Sequence, residues 1–299
     1  MTSQHSPAGA SPAPNPVPSQ APSPALNPAT NPAPGQDARA APNPNPNPIR
    51  VLVLNCNVTE SMTEVIGESA RAAAGPGTVV TAVSPEWGVV SAEGYLDSFI
   101  AATAMLDRLA TWPGGMDAVV LAGFGEHGRE AARELLDVPV VDITDAAAHV
   151  ALMLAPRYGV VTTLARSVVQ IQDSLRTAGV ADHCVGVLAA GVPVLSAHAD
   201  VARSREAVLA CGRRLIDSGA EALVLGCAGF AGRAASFEEE LGIPVIDPVA
   251  AGLLFAEGLA RLGLRTSKVS TFARPLPKSR PGWGSEPHRT PGVQDTHPV

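Results

Sequence analysis

From Ile49 to Arg265, short apolar runs of strand length alternate with longer segments in which Ala and Leu recur among Arg and Glu at helical spacing. That alternation predicts an α/β fold with parallel sheets, because strands buried on both faces read as continuous Val/Ile/Leu runs and need helical crossovers between them. Strands are expected near 50–54, 78–83, 117–122 and 139–142, then near 158–162, 184–188, 221–226 and 243–246. Helices are expected over 93–108, 126–136 and 145–154, then over 167–178, 200–218, 232–241 and 249–261, with Thr59 or Ser61 capping an earlier one. The stretch after Val187 through Ala199 carries no helical period and is expected to be a loop able to cover a site.

The pattern occurs twice. Asp117-Ala-Val-Val-Leu-Ala-Gly-Phe-Gly125 recurs as Glu221-Ala-Leu-Val-Leu-Gly-Cys-Ala-Gly229, which makes Gly123 and Cys227 counterparts 104 residues apart. Val138-Pro-Val-Val-Asp142 recurs as Ile243-Pro-Val-Ile-Asp247 at a spacing of 105. The expected architecture is therefore two similar lobes related by a pseudo-two-fold axis, 49–155 and 156–265, each a mostly parallel four-stranded sheet flanked by helices. The last helix is free to pack on the first lobe. Equivalent strand ends would face one another, and parallel sheets bind ligands outside those ends.

Composition delimits this body. Residues 1–48 hold 14 of the 28 prolines and only two charged side chains, Asp37 and Arg39, so they cannot bury a core and read as a disordered tail. Residues 266–299, rich in Pro, Ser and Arg, read as a second one. The body carries 15 arginines against 25 acids, a net charge of −10, which argues against nucleic acid or an anionic membrane as partner. No apolar run approaches a membrane span and no secretory signal is evident, so a cytoplasmic protein acting on a small molecule is expected, with a homo-oligomer left open. The body contains no lysine, which removes pyridoxal phosphate and Walker-type phosphate chemistry. No His/Cys/Asp/Glu group has metal-ligand spacing, so neither cofactor nor metal is expected.

The strand ends carry the candidate chemistry. Asn55-Cys-Asn-Val-Thr59 follows the first strand, and Thr162 and Thr163 hold the corresponding place in the second copy. Their amide and hydroxyl groups, with Asn55, Asn57, Thr162 and Thr163 foremost, would suit a carboxylate or imide oxygen. Cys227 sits in Gly226-Cys-Ala-Gly229, where Ala228 and Gly229 let a substrate approach and a following helix N-terminus would lower the thiol's pKa. His127, four residues past Gly123 and near a helix start, is the candidate for a second, neutral base, and Cys56 is an alternative. Cys184 and Cys211 read as packing, and Asp142 and Asp247 as helix caps or loop anchors.

With Asn55-x-Asn-x-Thr59, Ser91-Ala-Glu-Gly-Tyr-Leu-Asp97, Gly128-Arg-Glu-Ala-Ala-Arg133, Val161-Thr-Thr163, Val224-Leu-Gly-Cys-Ala-Gly229 and Pro244-Val-Ile-Asp247 in view, residues 49–263 resemble a hydantoin racemase of the aspartate/glutamate racemase superfamily. The resemblance implies a two-lobed α/β fold and cofactor-independent inversion of a carbon acid by two cysteines on opposite faces of the substrate. Cys227 matches the second of these; the first falls at Gly123, which has no side chain. The expected activity is 1,1-proton transfer on a hydantoin-like or amino-acid-derived carbon acid, with Cys227 and His127 as the two acid/base groups. Two alternatives stand beside it. One is a one-cysteine decarboxylase or isomerase resembling arylmalonate decarboxylase, whose hydroxyl-bearing residues after the glycine are unmatched in Phe124-Gly-Glu-His127; the other is a non-catalytic binder of a small carbonyl ligand.

Overall fold

The computed structural model describes residues 48–199, 201–278 and 280. The expected tail at residues 1–48 lies outside them except for Pro48, as does most of the one expected at 266–299. The first half runs β1 (Ile49–Asn55), α1 (Glu60–Ala73), β2 (Thr78–Val83), α2 (Tyr95–Ala110), β3 (Ala118–Ala122), α3 (Arg129–Leu135), β4 (Val140–Asp142) and α4 (Ile143–Leu154). The second runs β5 (Tyr158–Thr162), α5 (Val168–Thr177), β6 (Cys184–Ala189), α6 (Val194–Ala199), α7 (Val201–Asp217), β7 (Ala222–Leu225), α8 (Ala234–Leu241), β8 (Val245–Ile246) and α9 (Pro248–Arg261).

Two four-stranded sheets result, ordered β2-β1-β3-β4 and β6-β5-β7-β8, with every pairing parallel. The sequence explains the placement. β3, β5 and β7 are buried along their whole length, as their unbroken apolar runs require of inner strands, whereas edge strand β2 alternates half-buried and exposed positions over its first four residues.

The lobes share one core. Val51, Val53 and Val120 of the first sheet and Val160 and Val224 of the second belong to a single buried cluster together with Ile143 of α4 and Leu253 of α9. Helix α9, which ends the second half, lies against β3, β1 and β4 of the first sheet as well as against α4 and α1, while α4 reaches β7 and β5 of the second. Both helices start on a carboxylate cap. Asp142 Oδ1 accepts from Thr144 N (2.8 Å) and Asp145 N (3.1 Å), and Asp247 Oδ1 accepts from Val249 N (2.8 Å) and Ala250 N (3.3 Å). Smaller clusters cover the outer faces, one under α2 and α3 and one under α7 and α8. Among the described residues no helix is long and apolar enough to cross a membrane.

Three expectations change. The segment after Val187 is not all loop: β6 continues to Ala189 and α6 forms from Val194, six residues being too short to leave a readable period. Thr59 is the N-cap residue of α1, but its hydroxyl donates to Val90 O (2.7 Å) and makes no cap bond. Finally, the start of the expected C-terminal tail is bound to the first lobe. Thr266 donates from its N–H and Oγ1 to the carbonyls of Asp137 (2.9 Å) and Val138 (2.7 Å), and Lys268 Nζ donates to Arg133 O and Glu134 O at the end of α3. Composition could not show this, because the carbonyls left open at the end of α3 create the demand for donors.

Candidate active site

The C-terminal ends of β1, β3, β5 and β7 open into one cleft of about 420 Å³, a volume that includes its opening to solvent. Its described lining is Asn55, Cys56, Asn57, Met62, Ala92, Ala122, Phe124, His127, Thr162, Thr163, Ser167, Val194, Gly226, Cys227 and Ala228, with no lysine, arginine or carboxylate among them.

In the second lobe the chain leaves β7 through Gly226, whose N–H donates to Val161 O (2.7 Å) and whose carbonyl accepts from Thr162 Oγ1 (3.0 Å). A Cβ at 226 would meet Val160 Cγ1 at 2.8 Å and Val161 O at 2.9 Å, so the turn needs a glycine there. Cys227 is then extended and half-buried, and its Sγ accepts from Gly229 N (3.3 Å) at the head of a one-turn helix, Ala228–Phe230. Burial pushes the Cys227 thiol up to about 11, against the lowering by the Gly229 N–H and with a further rise from the Glu93 carboxylate. The expected depression of its pKa is therefore corrected. A single 3₁₀ turn presents too small a dipole to outweigh loss of solvent.

The first lobe solves the same strand end differently. Gly123 follows β3, and a Cβ built on it would lie 2.8 Å from Cys56 Cβ and 2.9 Å from His127 Nε2, with His127 Cδ2 closer still. The imidazole thus fills the volume that a side chain at 123 would need. What brings it there is a run of left-handed backbone: Gly125 (φ 108°), Glu126 (φ 72°) and Gly128 (φ 86°). Glycine adopts such angles freely, whereas Glu126 is held there at a cost. Its carboxylate accepts from Arg129 N (2.8 Å) and Gly128 N, closing the start of α3. His127 is 5% exposed, its Nδ1 has no partner among the described residues, and burial drives its pKa down to about 4. The ring is neutral, as expected, but through desolvation rather than a helix field.

Cys56, at the end of β1, lines the same cleft beside the Gly123 strand end. It is buried, and desolvation followed by the nearby Cys227 raises its pKa to about 12. The polar candidates divide by their bonds. Asn55 Nδ2 is spent on Thr63 Oγ1 (2.9 Å) and Asn57 Oδ1 (3.2 Å), shaping the loop, and Thr162 is spent on Gly226. Asn57 Nδ2 has a weak contact with Met62 Sδ at 3.6 Å, and its side chain also bears on the Cys56 thiol, so it is less firmly committed than Asn55 and the better donor to a ligand. Thr163 uses its carbonyl to hold Gly191 N (2.9 Å) and Val192 N (3.1 Å).

Asn55, Asn57, Thr162, Thr163, His127, Cys227 and Ala228 all reach the cleft; Gly123 and Gly229 lie behind it, under the imidazole and beside Sγ. Cys184 and Cys211 pack against the two cores away from it. Among the described residues no group of three or more His, Cys, Asp or Glu could hold a metal. Met62, Phe124, Ser167 and Val194 were not foreseen. Phe124 and Ser167 adjoin predicted turns and Val194 lies in the stretch expected to cover a site, but nothing in the local sequence marks Met62.

The Asp/Glu/hydantoin racemase family matches residues 51–256. A hydantoin racemase from Pseudomonas sp. (strain NS671) is 38% identical over 234 residues, 78% of this chain and 94% of that one. Among solved structures, allantoin racemase from Pseudomonas fluorescens is 46% identical and superposes with a TM-score of 0.77, covering 78% of this chain and all (100%) of that one. Allantoin racemase from Klebsiella pneumoniae is 41% identical with a TM-score of 0.76, covering 78% and 96%.

Proposed function

The chain belongs to the Asp/Glu/hydantoin racemase family, and from that premise we propose that it inverts a hydantoin-like carbon acid by 1,1-proton transfer without a cofactor, using Cys227 and His127 on opposite faces of the substrate. The observation that carries this reading is the imidazole standing where a side chain at Gly123 would stand, opposite the lobe that bears Cys227. Inversion needs a proton taken from one face and returned on the other, and one thiol cannot readily do both.

The resting protonation states suit transfer in one direction, from the face of His127 to that of Cys227, and the reverse direction starts from imidazolium and thiolate. A neutral His127 accepts the Cα proton while the Cys227 thiol delivers one to the far face, leaving imidazolium and thiolate to exchange protons before the next turnover. The carbanion is delocalised onto the flanking carbonyl as an enolate, for which Asn57 Nδ2 is the available donor. The uncharged lining supports a neutral cyclic imide over a free amino acid or a malonate, whose carboxylates would enter the cleft without a side-chain counter-charge. A site whose working group is a free thiol also fits a reducing compartment such as the cytoplasm.

The test is to incubate the full chain with each enantiomer of a 5-substituted hydantoin in D₂O, and separately with an arylmalonate. Decay of optical rotation with deuterium entering Cα supports the proposal. Release of CO₂ from the malonate with no change in hydantoin rotation would replace it with the one-thiol decarboxylase.

A further inference from the structure

The motif Ser91–Asp97 has no part in the proton transfer described above, yet it and the first turn of α2 bond the first lobe to the second at the rim of the cleft, apart from their shared core. Val194 N donates to Glu93 Oε1 (3.1 Å), Tyr95 Oη donates to Asp173 Oδ2 (3.3 Å), and Ser98 Oγ is bonded to the Gln170 amide (2.8 and 3.1 Å). At Gly94 the missing side chain leaves room for the Arg166 side chain, whose Nε would lie 2.9 Å from a Cβ there. Glu93 is itself fixed by its N–H, which donates to Asp97 Oδ2 (3.1 Å).

Among these bonds, the one from Glu93 ends on a residue that lines the cleft with the thiol. Its donor, Val194, lines the cleft, and Ala197 Cβ would lie 3.7 Å from a Cβ on Gly229, whose N–H holds Cys227 Sγ. The strap from Ala190 to Ala197 is rooted in its own lobe at Thr163 O and is fastened to the other lobe by this carboxylate. We propose that Glu93 is a positioning residue for Cys227, clamping the second lobe's strap over the thiol from the opposite lobe. The proposal rests on the reading of Cys227 as an acid/base.

The same carboxylate bears electrostatically on Cys227. The other titratable groups facing the thiol are Cys56 from the end of β1 and His127 from the turn after β3; the strap itself has no ionisable side chain from Ala190 to Ala197. Glu93 therefore joins a mechanical role to an electrostatic one, and two substitutions separate them. Glu93→Gln keeps an oxygen acceptor for Val194 N and removes the charge; Glu93→Ala removes both. Val194→Pro deletes the donor, at a first-turn position where proline is tolerated, and because Val194 also lines the cleft its effect is read against Val194→Ala, which changes the side chain and keeps the N–H.

The readouts are alkylation of Cys227 by iodoacetamide against pH, followed by mass spectrometry, and KM and kcat for one enantiomer of a 5-substituted hydantoin. Glu93→Ala and Val194→Pro should each raise the Cys227 alkylation rate at pH 8 and KM by about tenfold, with a smaller effect on kcat. Glu93→Gln should keep KM within about twofold of wild type while its alkylation midpoint moves to lower pH, since a charge that raised the thiol's pKa is gone. Wild-type alkylation and KM in either Glu93→Ala or Val194→Pro, with the fold intact by melting, would overturn the clamp, as would Glu93→Gln matching Glu93→Ala in KM. If the wild-type chain racemises no hydantoin, the functional reading falls, while alkylation still decides the clamp.

Discussion

The two central strand ends of the first lobe and their counterparts in the second have the same backbone frame and different chemistry. After β7 the proposed acid/base is on the strand end itself, as Cys227; after β3 that position is Gly123, and the imidazole of His127 occupies its side-chain space from four residues downstream. After β1 the chain presents Cys56, and after β5 Thr163. The difference shows how a duplicated scaffold can change the side chain presented at one strand end without moving a strand: a left-handed turn delivers a side chain from further along the chain.

Removing the group on the second lobe should have the largest effect. Cys227→Ser should lower kcat/KM by about 10²–10⁴-fold, the usual contribution of a positioned acid/base, with unchanged melting temperature because the hydroxyl still accepts from Gly229 N. Steady-state polarimetry checks it, and a wild-type rate would remove Cys227 from the chemistry.

The next effect is on acid stability and belongs to the first lobe alone. The folded pKa of His127, about 4, lies below its unfolded value near 6.5, so the unfolded chain binds a proton first as pH falls. Folding should lose roughly 3 kcal/mol from this group between pH 6.5 and about 4. His127→Gln should flatten that slope in urea titrations at stepped pH, and an unchanged slope would show that the ring is not held in a dry site.

Exchanging one strand end for the other comes third. Gly123→Cys alone should destabilise by about 1–3 kcal/mol, because its side chain collides with the imidazole and with Cys56. In a His127→Ala background the collision with the ring is gone, and much of that loss should return together with a thiol opposite Cys227. Equal penalties in both backgrounds, read by thermal melting, would mean that ring and thiol do not compete for one space. The smallest effect is expected at Asn57→Ala, a rise in KM of about 2–10-fold from one lost hydrogen bond.

The parts legible in the sequence were those set by local pattern. All eight strands fall within about two residues of where their apolar runs put them, and Asp142 and Asp247 cap helices as their position after a strand suggested. Duplication singled out Cys227 and Gly123. What was not legible depends on contacts distant in sequence or on uncommon backbone. The start of α3 slips from Glu126 to Arg129 because Glu126 adopts a positive φ, a conformation that its residue type disfavours. That same turn sends His127 back onto Gly123, which helical spacing would not. The direction of the Cys227 shift reverses because burial outweighs the single hydrogen bond from Gly229 N, and the strap's anchor, Glu93, is separated from Val194 by 101 residues.

The central claim, that the two lobes contribute unlike bases to opposite faces, is tested most directly by following α-proton exchange in D₂O for each enantiomer of one hydantoin with His127→Ala. The account predicts that exchange collapses for the enantiomer whose Cα–H faces the first lobe and falls far less for the other, which Cys227 still serves. Exchange of both enantiomers at wild-type rates would contradict it and pass the role of second base to Cys56.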